Sequence, residues 1–369
     1  MTVVHVLEPF ASGVTTAVES ITKQLPALKH IVVHGSRMWV DDIERVKGRF
    51  PPGVEFIPWT AAGREISPVK DLRALAQLRR ILKPFRKTDT VIHLHSSKAG
   101  FLGRLACRLL GIDRVIYTPH CGAFVRTDIS AFKRSLFRLL EKIGGSFGGT
   151  VVGCCRSEAE LYRPLSPKTR PPRWVNNGVE LADLKDTALQ KTGDRALVSF
   201  SGIAGPQKDP ELFNRIALKN PEISFCWIGD GPLKDRLSAP NITVSGWLEK
   251  AAVENRLAQT GIYLSTAAWE GLPFGVLEAM NAGCALLLRD IPGNRDLVIP
   301  GENGYLFSGA EDAAELLREM QIDKEKILMM GKKSRELVET SYSGEQMGRN
   351  YGGLYAALAE GGKIQDAAG

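Results

Sequence analysis

The chain has 369 residues, 44% of them hydrophobic and 24% charged, with a net charge of +7. That length allows two domains, because one hydrophobic core rarely grows past about 250–300 residues. The composition excludes a disordered or fibrous chain, and no apolar run reaches the ~18–20 residues that span a bilayer. The charge is unevenly spread, with +13 on residues 1–180 and −6 on residues 181–369. A basic half can meet nucleic acid, an anionic membrane or a phosphorylated acceptor, or be an ordinary lysine-rich surface. The six cysteines lie mostly in apolar runs with no Cys-x-x-Cys pair, which fits a reducing cytoplasm better than a disulfide or zinc framework.

Met1–Leu7 carries no basic leader and reads as a first strand, not a signal peptide. Further strands are expected at His30–Val33, Val54–Pro58, Val91–His95, Val115–Thr118 and Val151–Gly153. Helical patterns separate them near Thr15–Gln24, Val69–Leu82, Ala99–Leu110 and Ala131–Ile143. Pro164–Pro172, with four prolines and no apolar period, reads as a linker, and Asn176–Asn177–Gly178 as a turn. The alternation restarts with strands at Ala196–Ser201, Ile223–Ile228, Ile242–Ser245, Gly261–Ser265 and Ala285–Leu288. Helices are expected near Asp209–Leu218, Ala251–Ala258 and Phe274–Ala282. Past residue 309 the pattern is helical: Glu311–Met320, Lys324–Thr340 and Gly344–Ala359, then a Gly/Ala-rich tail expected to fray. Continuous apolar strands alternating with amphipathic helices predict an α/β chain of two doubly wound Rossmann-like domains. We place them at 1–175 and 176–340, with 341–369 a C-terminal helix and tail packing back toward the first domain. Ligands of such sheets bind beyond the carboxyl ends of the strands.

The segment Ala268–Trp269–Glu270–Gly271–Leu272–Pro273–Phe274–Gly275–Val276–Leu277–Glu278 runs from a strand into a helix. Pro273 suits the first turn, and the amides of Phe274, Gly275 and Val276 are expected to point out of the helix end as an anion site. Glu270 in the loop and Glu278 one turn inside can accept paired sugar hydroxyls. In Ser201–Gly202–Ile203–Ala204–Gly205–Pro206–Gln207–Lys208, Lys208 can neutralise a leaving diphosphate. Ser12–Gly13–Val14 is a glycine-containing loop at a helix start. His95 with Ser96–Ser97 ends a strand and is expected to cap the next helix, and Thr118–Pro119–His120–Cys121–Gly122 ends another. Gly229–Asp230–Gly231–Pro232 reads either as part of a ligand pocket or as an ordinary strand-to-helix turn.

From the Glu270-to-Glu278 segment outward, residues 3–308 resemble the family 4 retaining glycosyltransferases, whose signature is Glu-x7-Glu and whose two-domain fold is termed GT-B. The resemblance implies that the two domains face each other across a cleft. It implies Glu278 on the nucleotide ribose, Glu270 on the transferred sugar, and Phe274–Val276 on sugar and diphosphate. It also implies Gly13 near the diphosphate, Gly229 and Gly231 beside the nucleobase, His120 near the donor sugar, and His95 and Ser96 on the acceptor side. Two departures stand out: Ile203 occupies the place of the family's second phosphate-clamping arginine, and Cys121 interrupts its His-Gly or His-Asp pair.

With no Asp-x-Asp motif, the chemistry is expected to need no divalent ion, and the resemblance implies retaining sugar transfer without a cofactor. The resemblance implies a nucleotide-sugar donor, expected to be UDP- before GDP-linked. The subset that shares His95–Ser96–Ser97–Lys98–Ala99–Gly100 implies a lipid-linked or saccharide acceptor in bacterial surface polysaccharide or O-antigen assembly. No nucleic-acid partner is expected. Phe132–Leu140 and Leu75–Lys83, basic and amphipathic, read either as docking faces for an anionic membrane or as core-facing helices. The first alternative places the protein in the cytoplasm at the inner face of the cell membrane. A nucleotide-sugar-binding subunit without turnover, or an epimerase of the same fold, are the competing readings.

Overall fold

The computed structural model describes residues 1–35, 43–63, 65–87, 89–181 and 196–360, so the expected fraying of the tail lies outside the described residues apart from Glu360. The chain forms two compact units: one of residues 1–125, 129–177 and 344–369, the other of residues 126–128 and 178–343.

The first unit runs β1 (Thr2–Leu7), α1 (Ser12–Gln24), β2 (Lys29–His34), α2 (Ile43–Lys47), β3 (Glu55–Pro58), α3 (Pro68–Leu82), β4 (Thr90–His95) and α4 (Ser97–Leu110). It continues with β5 (Val115–Thr118), α5 (Ala131–Ser146), β6 (Thr150–Gly153), α6 (Arg156–Tyr162) and β7 (Arg173–Trp174). Its seven strands are parallel in the order β3-β2-β1-β4-β5-β6-β7. Because side chains alternate along a strand, Val4, Val6, Ile92 and Leu94 form one core with Ala74, Leu78 and Leu82 of α3 and Leu102 of α4. On the other face, Leu7 and Val32 pack with Val18 of α1 and Val46 of α2. That face also carries His5 and, opposite it in register on β4, His93. The last described helix, Gly344–Ala359, sets Tyr351 and Tyr355, both fully buried, against His93.

The second unit runs β8 (Val198–Ser201), α7 (Pro210–Leu218), β9 (Phe225–Ile228), β10 (Ile242–Val244), α8 (Lys250–Ala258), β11 (Ile262–Ser265) and α9 (Phe274–Asn281). It closes with β12 (Ala285–Arg289), β13 (Gly304–Phe307), α10 (Ala310–Ile322) and α11 (Lys324–Ser341), which makes the helix over 344–359 α12. The six strands are parallel in the order β10-β9-β8-β11-β12-β13. The Phe200 and Trp227 rings pack 4.5 Å apart, tilted by 41°, within its core, and the Trp227 indole N–H donates to the Gly202 carbonyl at 3.0 Å, tying the loop after β8 to the core.

Both units are the doubly wound α/β architecture expected. Pro164–Pro172 is not the crossing between them: it lies inside the first unit, ending in β7, which pairs with β6. The short elements α2, α6, β7 and β13 carry too few periodic positions to be read from the sequence. β13 in particular begins inside Asn303–Gly304, a dipeptide that favours a turn. Asn303 is buried, accepting from the Ile299 amide and donating to the Leu297 carbonyl, while a side chain at 304 would meet the Leu286 carbonyl at 2.0 Å.

Candidate active site

In the second unit the predicted donor-site residues gather at the carboxyl ends of β8 and β11. The Lys208 ammonium pairs with a Glu270 carboxylate oxygen. Gln207 Nε2 donates to the Trp269 carbonyl at 3.0 Å and to the other Glu270 oxygen at 3.3 Å. Thr266 Oγ1 donates to the Lys208 carbonyl and the Ala268 amide to that of Gln207, so the loops after β8 and β11 form one framework. Glu270 is 9% exposed and Lys208 22%.

Tyr263, not singled out from the sequence, stands at the centre. Its hydroxyl lies 2.9 Å from Ser201 Oγ and accepts from the Ser201 amide. Burial raises its pKa, and the Glu278 and Glu270 carboxylates raise it further, so Tyr263 remains a neutral phenol. A methyl group at Gly275 would lie 2.9 Å from both the Tyr263 hydroxyl and Ser201 Oγ, which explains the glycine there. A tyrosine inside an apolar strand was the available signal, since a buried hydroxyl needs a partner.

Pro273 is the N-cap of α9, just outside its first turn. Contrary to expectation, the Val276 amide is not open: it donates to the Pro273 carbonyl at 3.2 Å, in the tight first turn of a short helix. The Phe274 and Gly275 amides take no partner among the described residues. Gly229 and Gly231 are required by packing, because side chains there would meet the Gly202 and Ala204 carbonyls at 2.3 and 2.5 Å. Both have positive φ, and the Ala204 amide donates to the Asp230 carbonyl, which clasps the loops after β8 and β9. Ile203 leaves no cation at its position, but Arg289 at the end of β12 reaches the same loop, donating to Asp209 at 3.0 Å. Nothing in the sequence marked it.

In the first unit, Gly13 is exposed in the first turn of α1, and Ser96 is the N-cap of α4. The Ser96 hydroxyl does not cap, contrary to expectation. A φ of 71° turns it from the helix amides, and the Ser97 hydroxyl instead accepts from the Ala123 amide. His120 Nε2 lies 3.0 Å from His95 Nδ1, so these two predicted residues are brought together. Burial lowers the pKa of His120 to about 4 and that of His95 well below 6.5, the latter helped by neighbouring histidines. Glu158, missed in the sequence because α6 was missed, anchors the His120–Cys121 loop. Its carboxylate accepts from the Cys121 amide at 2.6 Å and the Cys154 amide at 2.7 Å.

Five non-glycine residues have positive φ among the described ones: Ser12, Ser96, His120, Cys121 and Asp209. Ser12 opens α1 and the other four lie in the loops that leave β4, β5 and β8, so all sit at the carboxyl edge of the strands, where such sheets bind ligands and where strain clusters at functional sites.

Residues 12–178 match a family described as the glycosyl transferase 4-like domain, and residues 183–337 match glycosyl transferases group 1. The chain belongs to the group 1 glycosyltransferases. It is 27% identical over 306 residues to the Escherichia coli UDP-Gal:alpha-D-GlcNAc-diphosphoundecaprenol alpha-1,3-galactosyltransferase, spanning 76% of this chain and 78% of that one. It is 28% identical to the E. coli O-antigen biosynthesis glycosyltransferase WbnH over 66% of this chain and 69% of that one. Sucrose-phosphate synthase from Thermosynechococcus elongatus superposes with a TM-score of 0.81 over 98% of this glycosyltransferase and all of the synthase, at 17% identity. The fold is thus GT-B, and the enzyme is a glycosyltransferase. No described helix is long and apolar enough to cross a membrane.

Proposed function

We propose that the enzyme transfers a sugar, with retention, from a UDP-sugar to a saccharide on a lipid diphosphate carrier, in bacterial cell-surface polysaccharide assembly. The observation that carries this is the joined framework of Lys208, Glu270, Tyr263 and the open Phe274 and Gly275 amides. It offers a cation and two N–H donors to a diphosphate, and carboxylates to sugar hydroxyls. Glu278 takes the ribose and Glu270 the sugar. As the bond from the anomeric carbon to the β-phosphate oxygen breaks, Lys208 and the amides stabilise the departing charge, a role that asks for no divalent ion. The acceptor oxygen bonds to the anomeric carbon on the same face, and its proton passes to the leaving diphosphate. The name of the E. coli relative, with a UDP-galactose donor and a diphosphoundecaprenol-linked acceptor, supports both substrate classes. Glu270→Ala and Glu278→Ala should each lower transfer by about tenfold or more, the worth of one good polar contact. Assays with UDP-sugars and a synthetic lipid-diphosphate saccharide, with the product anomer read by NMR, test this. An inverted product, or near-wild-type turnover in both variants, would exclude it.

A lipid-borne acceptor calls for membrane proximity, and α5 supplies a face for it. Phe132, Leu136, Leu139 and Ile143 are exposed at helical spacing between Lys133, Arg134, Arg138 and Lys142. The other candidate, Leu75–Lys83, turns Leu78 and Leu82 into the core and is an ordinary packed helix. Wild-type protein should sediment with phosphatidylglycerol vesicles at low salt and release at high salt, while Phe132→Ser/Leu139→Ser should stay in solution. Equal sedimentation of the two proteins would remove α5 from this role.

A further inference from the structure

On one face of the first unit's sheet, four imidazoles are joined end to end. His30 Nε2 lies 2.9 Å from the Leu25 carbonyl oxygen, and His30 Nδ1 lies 3.2 Å from His5 Nε2. His5 Nδ1 is 3.1 Å from His95 Nε2, and His95 Nδ1 is 3.0 Å from His120 Nε2. A carbonyl oxygen only accepts, so His30 holds its proton on Nε2 and its Nδ1 must accept. His5 therefore donates from Nε2 and accepts at Nδ1, and the same logic passes to His95 and then to His120. A doubly protonated ring would let the direction reverse, but burial and mutual repulsion disfavour charge on His5 and His95. At the far end, His120 Nδ1 takes no partner among the described residues.

We infer that the Leu25 carbonyl, acting through His30, His5 and His95, sets His120 as the Nε2–H tautomer, so that its outward Nδ1 accepts from a substrate hydroxyl and offers no proton to phosphate. This rests on the reading of His120 as the first unit's substrate contact. His30, His5 and His95 are positioning residues. A metal ion on His5, His93 and His95, whose ligand atoms lie within 4.8 Å of one another, is the rival use of the cluster. It would have to break bonds already made: His93 lies 2.7 Å from the Tyr355 hydroxyl and 2.9 Å from Thr118 Oγ1, and both His5 nitrogens serve the chain.

The test is long-range 1H–15N correlation of the full-length protein labelled at histidine, with the His120 signals assigned by their loss in His120→Asn. Wild type should show the proton on Nε2. His30→Leu removes the end anchor, so His120 should populate both tautomers and kcat should fall about tenfold while the donor KM changes little. His30→Gln, whose amide can donate to Leu25 and accept from His5, should restore the tautomer and the rate. A proton on Nδ1 in wild type, an unchanged His120 in folded His30→Leu, or stoichiometric zinc binding that shifts His5, His93 and His95 together would each overturn the inference. If His30→Leu does not fold, the wild-type spectrum and His30→Gln still decide it. Wild-type transfer by His120→Asn would instead sink the substrate-contact reading and leave the tautomer result standing.

Discussion

Lowering the pH from 7 to 5 is expected to melt the first unit of the enzyme well before the second. All six histidines lie in the first unit, and five of them, His5, His30, His34, His93 and His95, are nearly or fully buried. Burial lowers the pKa of each, most strongly for His5, His93 and His95. A depressed histidine pKa means that the unfolded chain binds protons that the folded one refuses. Stability is therefore intact above pH 6.5 and falls as the pH drops below it. Each histidine that stays neutral when folded costs about 1.4 kcal/mol per pH unit, so these three alone remove about 6 kcal/mol by pH 5. That approaches the whole stability of an ordinary domain, about 5–15 kcal/mol. Glu158, whose carboxyl burial pushes up, acts in the opposite direction, but it is one group. Calorimetry at pH 7 and pH 5 should show one transition falling by about 10–20 °C and the other by much less. Parallel movement of both transitions would mean that the histidine cluster is not neutral in the folded protein.

Lys208→Ala is expected to lower kcat by about 10²–10³-fold, the usual cost of removing a preorganised group from developing charge. Its pairing with Glu270 makes the effects of the two residues interdependent. Without the ammonium, Glu270 is a mostly buried carboxylate whose remaining partner among the described residues is Gln207, and its uncompensated charge would oppose a diphosphate bound nearby. The Lys208→Ala/Glu270→Ala double variant should therefore lose less than the product of the single losses, with a coupling of about 0.5–3 kcal/mol. Lys208→Arg should not fully rescue, because a rigid planar fork presents its donors differently from the compact ammonium that pairs with Glu270. Steady-state kinetics on the four proteins decides the matter. Strict multiplicativity, or Lys208→Ala within about threefold of wild type, would show that the pair does not act on the leaving group.

Much of the fold was legible because buried parallel strands leave a strong mark. Val91–His95, apolar apart from its two histidines, and Ala285–Leu288, apolar throughout, lie between amphipathic helices, and each became an interior strand. α6 and β13 were not legible, since each is short and held by a buried polar side chain, Glu158 or Asn303, rather than by a periodic face. At the site, Glu270, Lys208, Gly275 and His120 could be named from residue type and motif. Tyr263, Gln207 and Arg289 could not, because their partners are brought to them by strands and loops distant in sequence.

The amino-acid order alone determined where chemistry is concentrated: a carboxylate pair around a proline–glycine helix start, a lysine after a strand, histidines at strand ends. Local signals suffice there because the loops that leave parallel strands are short. Only tertiary structure decided what those groups do to one another. It paired Lys208 with Glu270, closed the Val276 amide, and stacked His30, His5, His95 and His120 into a single hydrogen-bonded line. The physical reason is register. His5 comes to stand beside His30 and His95 through parallel pairing between strands up to ninety positions apart, and no pattern within one segment encodes that pairing.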